Sequence, residues 1–102
     1  MKYSHADYVP AIKAMSDETR LKIIDILSHG EMCACELLEE FSISQSTLSY
    51  HMKILSESGV VNAVREGAKM MYTLNAEKTG AIIDFLSSIV TEKEDCICKH
   101  CK

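Results

Sequence analysis

Five cysteines form two groups, and these thiols are the side chains of this chain best suited to bind an ion or to react. Cys33 and Cys35 flank one alanine in GEMCACELLEEF, where a helix is expected to begin. Cys96, Cys98 and Cys101 follow near the C-terminus in CICKHC, a compact Cys-x-Cys-x-x-Cys arrangement. Thiolates bind soft metal and metalloid ions, so both groups are candidate ligand sets.

If Cys33 and Cys35 both lie within one regular helix, their spacing prevents the two thiols from binding the same ion. Side chains two residues apart on a helix point about 200° away from each other. We therefore expect either that this turn is unwound in the free protein or that ion binding unwinds it. Helix N-termini also lower thiol pKa values in general, which favours the metal-binding thiolate. The alternative is that both cysteines are simply small buried apolar residues.

The composition indicates one ordinary globular domain with no membrane segment. The chain has 102 residues, of which 47% are apolar and 25% charged. Its longest apolar run, TGAIIDFLSSIV, contains Asp84 and is too short to span a bilayer. The N-terminus has no apolar signal-peptide core, so we expect a cytoplasmic protein in which the cysteines are mostly reduced.

Hydrophobic spacing and capping residues predict four helices in the first part of the chain. The first covers residues 8 to 15, with Pro10 in its first turn. The second is capped by Ser16 or Asp17 and stops at Gly30. The third covers residues 33 to 41, and the fourth begins after Ser44 and ends at Gly59. The predicted inward-facing side chains of these helices are Leu21, Ile24, Leu27, Leu37, Leu38, Leu48, Met52 and Leu55.

A β-hairpin and a last helix complete the predicted domain. VVNAVRE and KMMYTL are two short runs of strand-forming residues joined by Gly67 and Ala68. Asn75 is expected to cap the last helix, which carries more apolar residues than a terminal helix needs to pack against its own domain. The order α-α-α-α-β-β-α predicts a mainly α winged helix-turn-helix domain (α+β) over residues 1–92, followed by a Cys-rich tail, residues 93–102.

The fourth predicted helix has the composition of a helix that reads a DNA duplex. Short polar side chains let a helix enter the major groove, and Lys can contact a phosphate. The net charge of −4 argues mildly against a nucleic-acid partner, but residues 44–72 alone have a positive balance, of three basic against two acidic residues. A Ser-rich capped surface helix is the alternative. The candidate DNA-contacting residues are Gln45, Ser46, Thr47, Ser49, Tyr50 and Lys53 on this helix, with Arg65 and Lys69 on the hairpin.

Four segments together resemble the ArsR/SmtB family of metalloid- and metal-responsive repressors: SDETRLKIIDIL, EMCACEL, SQSTLSYHMKILSESGVV and REGAKMMYTLN. The resemblance covers residues 8 to 90 and is most specific from Ser44 to Val61. It implies a homodimer that pairs through its first and last helices and occupies a double-stranded operator until an inducer binds. It also implies that the polar residues of the fourth helix contact DNA. His51 lies towards the inner face of that helix, where a packing or hydrogen-bonding role is expected rather than a metal ligand.

The inducer implied by the resemblance is trivalent arsenic or antimony, with cadmium, lead or zinc as alternatives. The third cysteine of the arsenic-responsive pattern is absent, because Leu38 stands at its position. The N-terminal cysteines of the cadmium and lead pattern are also absent. The tail cysteines could bind an ion alone or add thiolates to Cys33 and Cys35, within or across subunits.

Three other kinds of function remain open from the residues. A thiol redox or persulfide switch would use the same fold and link two cysteines covalently. A thiol oxidoreductase is disfavoured because Cys98-x-x-Cys101 lies on a terminal tail with no preceding strand. A metal buffer without a DNA role would leave SQSTLSYHMK and the basic hairpin unexplained.

Overall fold

A computed structural model describes residues 4–91, and this part of the chain forms five helices and one three-stranded antiparallel sheet. The elements in chain order are α1 (His5–Met15), α2 (Glu18–Leu27), β1 (Met32–Cys33), α3 (Ala34–Glu39), α4 (Gln45–Glu57), β2 (Val61–Glu66), β3 (Lys69–Leu74) and α5 (Ala76–Val90). The predicted winged helix-turn-helix architecture is confirmed, with one additional short strand. The predicted tail, residues 93–102, lies outside the described residues.

Side-chain caps explain where three of the helices begin. Asp17, Ser44 and Asn75 each accept a hydrogen bond from the backbone N–H of the third residue that follows, at 3.0, 3.1 and 3.1 Å. These bonds satisfy N–H groups that have no partner within the helix. The bond from the Arg20 N–H also lowers the pKa of the Asp17 carboxyl, because it stabilises the carboxylate.

Two expectations for the first two helices are wrong in detail. α1 begins at His5, so Pro10 lies inside the helix rather than in its first turn, on its exposed side. In α2 the buried side chains are Ile23 and Leu27, whereas Leu21 is 50% exposed. The inward-facing stripe is therefore rotated from the predicted one. Because isoleucine and leucine occupy several adjacent positions in KIIDIL, only the packing partners of α2 select which of these side chains are buried.

The core lies where α2, α3, α4 and the start of β2 meet. Leu48, Met52 and Leu55 of α4 are buried as predicted, and Leu37 of α3 is fully buried beside them. Leu38 is partly buried and packs against this cluster. This packing connects α3 to α4 and fixes the position of the exposed face of α4.

The α1 and α5 helices contact each other through aromatic rings and add buried side chains to the same core. The Tyr8 ring stacks on Phe85 with a centroid separation of 4.6 Å, and Ile82 of α5 is buried in the core. Several apolar side chains of both helices nevertheless remain exposed. Among the described residues, no helix is long and apolar enough to cross a lipid bilayer.

The short strand β1 was not predicted. It joins the hairpin at the edge of β3, which gives the order β1-β3-β2 and pairs Cys33 with Met71. Two residues carry no periodicity, so β1 can be recognised only from its partner strand. The hairpin itself is confirmed: Glu66 pairs with Lys69 across the turn, and Gly67 has a φ of 66°, which glycine adopts without strain.

Candidate metal centre and nucleic-acid interface

Cys33 lies at the junction between the sheet and α3. Its backbone is extended, with φ −84° and ψ 164°, because it ends β1 and pairs with Met71. It is therefore the N-cap of α3 and not a member of the helix. Its side chain is 3% exposed, so the surrounding packing holds the sulfur in place.

Cys35 lies in the first turn of α3, and its sulfur meets that of Cys33. The two Cα atoms are 5.4 Å apart, and the sulfurs are joined as a disulfide. The prediction that the two thiols cannot meet while the helix stays regular is therefore wrong, because only Cys35 lies within the helix. The extended backbone of Cys33 turns its side chain towards Cys35 while the helix stays regular from Ala34 onwards. Two sulfurs so placed can also bind one ion after reduction, without any unwinding of α3.

Glu36 completes the local structure around Cys33. Its backbone N–H points at the Cys33 sulfur at 3.4 Å, and its carboxylate accepts a hydrogen bond from the Cys33 N–H at 2.9 Å. This reciprocal pair is a capping box in which cysteine takes the usual place of serine or threonine. The sequence signal, Cys-x-x-Glu before an apolar pair, was present but was not recognised.

A cleft opens beside the two cysteines, between α3, α4 and the hairpin. Its volume is about 320 Å³. Its lining includes Gln45 and Ser49 of the face that is predicted to read DNA, together with Lys69 of the hairpin. The thiol pair and three candidate DNA contacts therefore share one cleft. The other side chains that line it are Ala34, Leu38, Leu48, Met52, Ala68, Met70 and Tyr72.

The exposed face of α4 carries all of the side chains predicted to contact DNA from this helix. They share exposure to solvent and lie opposite the buried stripe; they are Gln45, Ser46, Thr47, Ser49, Tyr50 and Lys53. Two of them also belong to the helix start, since the Ser44 hydroxyl lies 2.9 Å from the Thr47 hydroxyl and 3.1 Å from that of Ser46. A rigid N-terminal turn with exposed N–H groups suits a DNA phosphate.

The hairpin places its two basic residues near its tip. Arg65 and Lys69 are exposed and lie close to the Gly67 turn, on β2 and β3 respectively. A second contact to the DNA backbone from these two residues stays a prediction. Contacts of this kind position a protein on a duplex, whereas the polar side chains of α4 can read base edges.

His51 has the hydrogen-bonding role that the sequence predicted. Its Nδ1 lies 3.1 Å from a guanidinium nitrogen of Arg20, whose Nε donates to the Ala14 carbonyl at 2.6 Å. Because Arg is a donor only, His51 accepts this bond through an unprotonated Nδ1. The network connects α4 to the end of α1 and the start of α2.

The predicted ligand residues Cys96, Cys98 and Cys101 lie outside the described residues. Within residues 4–91, no three His, Cys, Asp or Glu side chains are grouped so that they could hold a metal ion. The thiols of Cys33 and Cys35 are thus the donor set that this part of the chain brings together. Soft ions are the ones that such a set suits.

Comparison with known proteins identifies the family of this domain. Residues 17–63 match the model of the bacterial regulatory protein arsR family. The chain is also 43% identical to the arsenical resistance operon repressor of Staphylococcus aureus over 99 residues, which cover 97% of this chain and 95% of the relative. The chain belongs to the arsR family.

Solved structures agree with this assignment. HlyU from Vibrio cholerae is 34% identical, with a TM-score of 0.71 and coverage of 90% of this chain and 100% of that one. A crystal structure of another ArsR family transcriptional regulator has a TM-score of 0.78 at 21% identity, covering 87% of this chain and 92% of that one, which supports the fold alone. As an ArsR-family member, the chain is a DNA-binding transcriptional regulator and not an enzyme.

Proposed function

We propose that this ArsR-family protein represses a metalloid-resistance operon and leaves its operator when As(III) or Sb(III) binds the thiolates of Cys33 and Cys35. The similarity to an arsenical resistance operon repressor supports the inducer class. The observation that carries the proposal is the position of the thiol pair, which shares a cleft with Gln45 and Ser49 of α4 and with Lys69 of the hairpin.

Two structural connections would transmit inducer binding to the DNA-reading surface. Cys35 belongs to α3, whose Leu37 packs in the same core as the buried stripe of α4. Cys33 pairs through its backbone with Met71 on β3, the strand that also carries Lys69. Any displacement of the sulfurs when an ion binds would therefore act on α4 through α3 and on the hairpin through β1.

The energetic requirement for release is modest. An inducer can weaken operator binding only to the extent that it binds the DNA-free conformation more tightly than the DNA-bound conformation. Coupling free energies of this kind are typically about 1 to 3 kcal/mol. Moving the Cys33 sulfur when an ion binds would weaken the hydrogen bond that it accepts from the Glu36 N–H at the start of α3. Loss of a helix cap costs about 1 kcal/mol, which is of the required size.

The tail cysteines Cys96, Cys98 and Cys101 are proposed to supply further thiolates. Trivalent arsenic and antimony take three sulfurs, so the pair at α3 needs one more ligand to saturate an inorganic ion. Cd(II), Pb(II) and Zn(II) are the alternative inducers, because sulfur-rich sites suit these ions as well.

We further propose that the protein acts as a homodimer that pairs through α1 and α5. These helices expose apolar side chains that one protomer does not cover: Val9, Ile12, Ile83, Leu86, Ile89 and Val90. A cluster of exposed apolar side chains on two neighbouring helices favours an interaction site there. A two-fold dimer would present both α4 helices to successive half-sites of one duplex.

The dimer is tested by placing a charge on the exposed face of α5. Ile89→Glu is expected to yield monomers in sedimentation equilibrium, because Ile89 is 58% exposed in the protomer and would be covered in the dimer. Val64→Glu is the matched control, since Val64 is 54% exposed on β2 and should leave the dimer intact. Equal association of both variants would contradict the proposed interface.

The central experiment replaces both thiols without removing the fold. A duplex is first selected by the wild-type protein from a randomised pool, and its binding is followed by fluorescence anisotropy under reducing conditions. Cys33→Ser with Cys35→Ser should bind this duplex normally and should no longer be released by arsenite, since serine can cap α3 but does not bind arsenic as a thiolate does.

The matched control is the serine replacement of all three tail cysteines, which keeps the pair at α3. We expect that variant to respond at higher arsenite concentrations than the wild type. Normal release of the Cys33→Ser, Cys35→Ser protein by arsenite would rule out the pair as the inducer site. Loss of DNA binding in the absence of arsenite would show instead that the two cysteines serve the core.

A second candidate function is a thiol redox switch, which the contact between the two sulfurs favours. Their Cα separation of 5.4 Å lies within the range of ordinary disulfides. Closing the bond would pass two electrons and two protons to an oxidant such as diamide. Release of DNA by diamide, reversed by dithiothreitol and absent in Cys35→Ser, is the result expected of this function.

A further inference from the structure

Arg20 joins three helices through one guanidinium group. Its Nε donates to the Ala14 carbonyl at 2.6 Å, and one of its terminal nitrogens lies 3.1 Å from Nδ1 of His51. The Ala14 carbonyl belongs to the last turn of α1, where carbonyls lack a partner within the helix and the helix dipole favours a cation. One side chain of α2 thus binds both the end of α1 and the middle of α4.

The His51 ring lies between Arg20 and the exposed face of α4. It is half-buried, and the Tyr50 ring meets it edge-on at a centroid separation of 5.4 Å. Tyr50 is 61% exposed and is one of the residues proposed to contact DNA. The hydrogen bond between Arg20 and His51 therefore links a proposed DNA-contacting side chain to α1, a helix that is proposed to pair in the dimer.

The groups around His51 make this hydrogen bond sensitive to protonation of the ring. The Asp17 carboxylate caps α2, and its pKa is lowered mainly by the Arg20 N–H and also by the charges of Arg20 and His51. Lys13 of α1 and Glu57 of α4 line a groove together with Arg20. Asp17 can offset part of the charge of a protonated His51. It cannot restore the acceptor, because a protonated Nδ1 is a donor.

We propose that Arg20 and His51 are positioning residues for operator binding: α4 keeps its DNA-reading position while neutral His51 accepts the Arg20 hydrogen bond, and protonation of His51 weakens binding. The inference rests on the proposed role of α4 in reading DNA. A proton on Nδ1 removes the acceptor and sets two cations against each other across 3.1 Å, so the ring and the guanidinium must separate. Because Arg20 is also held by α1, this separation moves α4 relative to a dimer helix.

The expected pH dependence has the opposite sign to that of general electrostatics. Histidine changes charge between about pH 5 and 8, and protonation of the four histidines would make this chain, with its net charge of −4, less negative. A less negative protein should bind the DNA polyanion more tightly. The Arg20–His51 pair predicts weaker binding instead. Asp17 does not contribute to the change, because its lowered pKa keeps it ionised across this range.

The test is an anisotropy titration of the selected duplex from about pH 7.5 to about pH 5.5, at constant ionic strength, without inducer and under reducing conditions. Wild-type affinity should fall about tenfold, within the range of roughly 5- to 150-fold that is usual for coupled sites. His51→Asn should bind like the wild type near neutral pH and should not weaken in acid. Its side-chain oxygen is as many bonds from the backbone as Nδ1 and accepts without titrating, and asparagine and histidine have similar helix propensities.

Two further variants separate this pair from other contributions. His29→Asn makes the same change at an exposed histidine beyond the end of α2 and should keep the wild-type weakening in acid. Arg20→Gln replaces the guanidinium with an amide that can donate to neutral His51 and accept from protonated His51. It should bind more weakly than the wild type near neutral pH, because the Ala14 carbonyl loses a charged donor, and it should show no further loss in acid.

Proton release on DNA binding can be measured on the wild-type protein, so this test does not depend on the folding of a variant. By reciprocity, DNA that prefers neutral His51 must displace protons from the ring when it binds. Calorimetric titrations near about pH 6 in two buffers of different ionisation enthalpy should therefore show proton release. General attraction between protein and DNA would show proton uptake instead.

The possible outcomes distinguish this inference from the proposed function. Wild-type affinity that stays constant or rises as the pH falls would overturn the inference and leave release by arsenite through Cys33 and Cys35 unaffected. Equal weakening of the wild type and His51→Asn would also overturn it, because another group would then be responsible. Absence of duplex binding by the wild type at every pH would contradict the inference and the proposed function together.

Discussion

Replacing Lys53 tests whether α4 faces the DNA backbone. Its ammonium group is exposed on the same face as the polar residues of α4, and a phosphate contact there would release a counterion from the duplex. Each such contact contributes about −0.9 to the slope of log Kobs against log salt concentration. Because a dimer presents every contact twice, Lys53→Ala should flatten the slope by about 1.8.

The number of cationic contacts in the whole interface gives the expected salt slope of the wild-type protein. Lys53, Arg65 and Lys69 provide six cationic contacts in a dimer, for a slope of about −5.4. Between about 50 and 200 mM salt, wild-type affinity should then fall about 2,000-fold, and that of Lys53→Ala about 150-fold. The assay is anisotropy titration of the selected duplex and of a scrambled duplex, and both should lose affinity.

The control for this change is Lys22→Ala, which alters the net charge equally. Lys22 lies on α2, with its ammonium 3.5 Å from the Glu18 carboxylate, and should leave the slope unchanged. An unchanged slope for Lys53→Ala would refute the phosphate contact. Equal flattening by both variants would mean that the overall charge of the protein, and not a contact from α4, sets the salt dependence.

Three further predictions concern the helices that position the site. Ser44→Ala removes the acceptor of the Thr47 N–H and should lower the free energy of unfolding by about 1 kcal/mol in urea titration, whereas Ser42→Ala in the exposed connection should have little effect. Leu55→Ala should cost about 2 to 5 kcal/mol because Leu55 is fully buried, in contrast to less than about 0.5 kcal/mol for Leu21→Ala. Since the Arg20 N–H lowers the pKa of Asp17 below its ordinary 3.8, the stabilisation from this carboxylate is complete above that value and lost as the pH falls through the folded-state pKa. Wild-type protein should therefore lose more stability than Asp17→Asn between about pH 5 and pH 2, and equal losses would contradict the assigned cap.

Much of the α4 surface was predictable from sequence because it depends on local rules. A capping serine, three apolar residues at helical spacing and a terminal glycine define where α4 begins, which side is buried and where it ends. Gln45 and Lys53 are exposed as a direct consequence. The same reasoning misplaced Leu21 because α2 has apolar residues on several adjacent positions, and only its neighbours select which of them are buried.

The arrangement of the thiols was decided by tertiary structure. The sequence determined that Cys33 and Cys35 stand at a helix start, and it carried the Cys-x-x-Glu signal for the cap. Whether Cys33 lies inside the helix depended on Met71, which pairs with it from a strand distant in sequence and holds its backbone extended. Hydrophobic periodicity indicates which side of a helix or strand is buried. It contains no information about a two-residue strand whose conformation is imposed by hydrogen bonds from another segment.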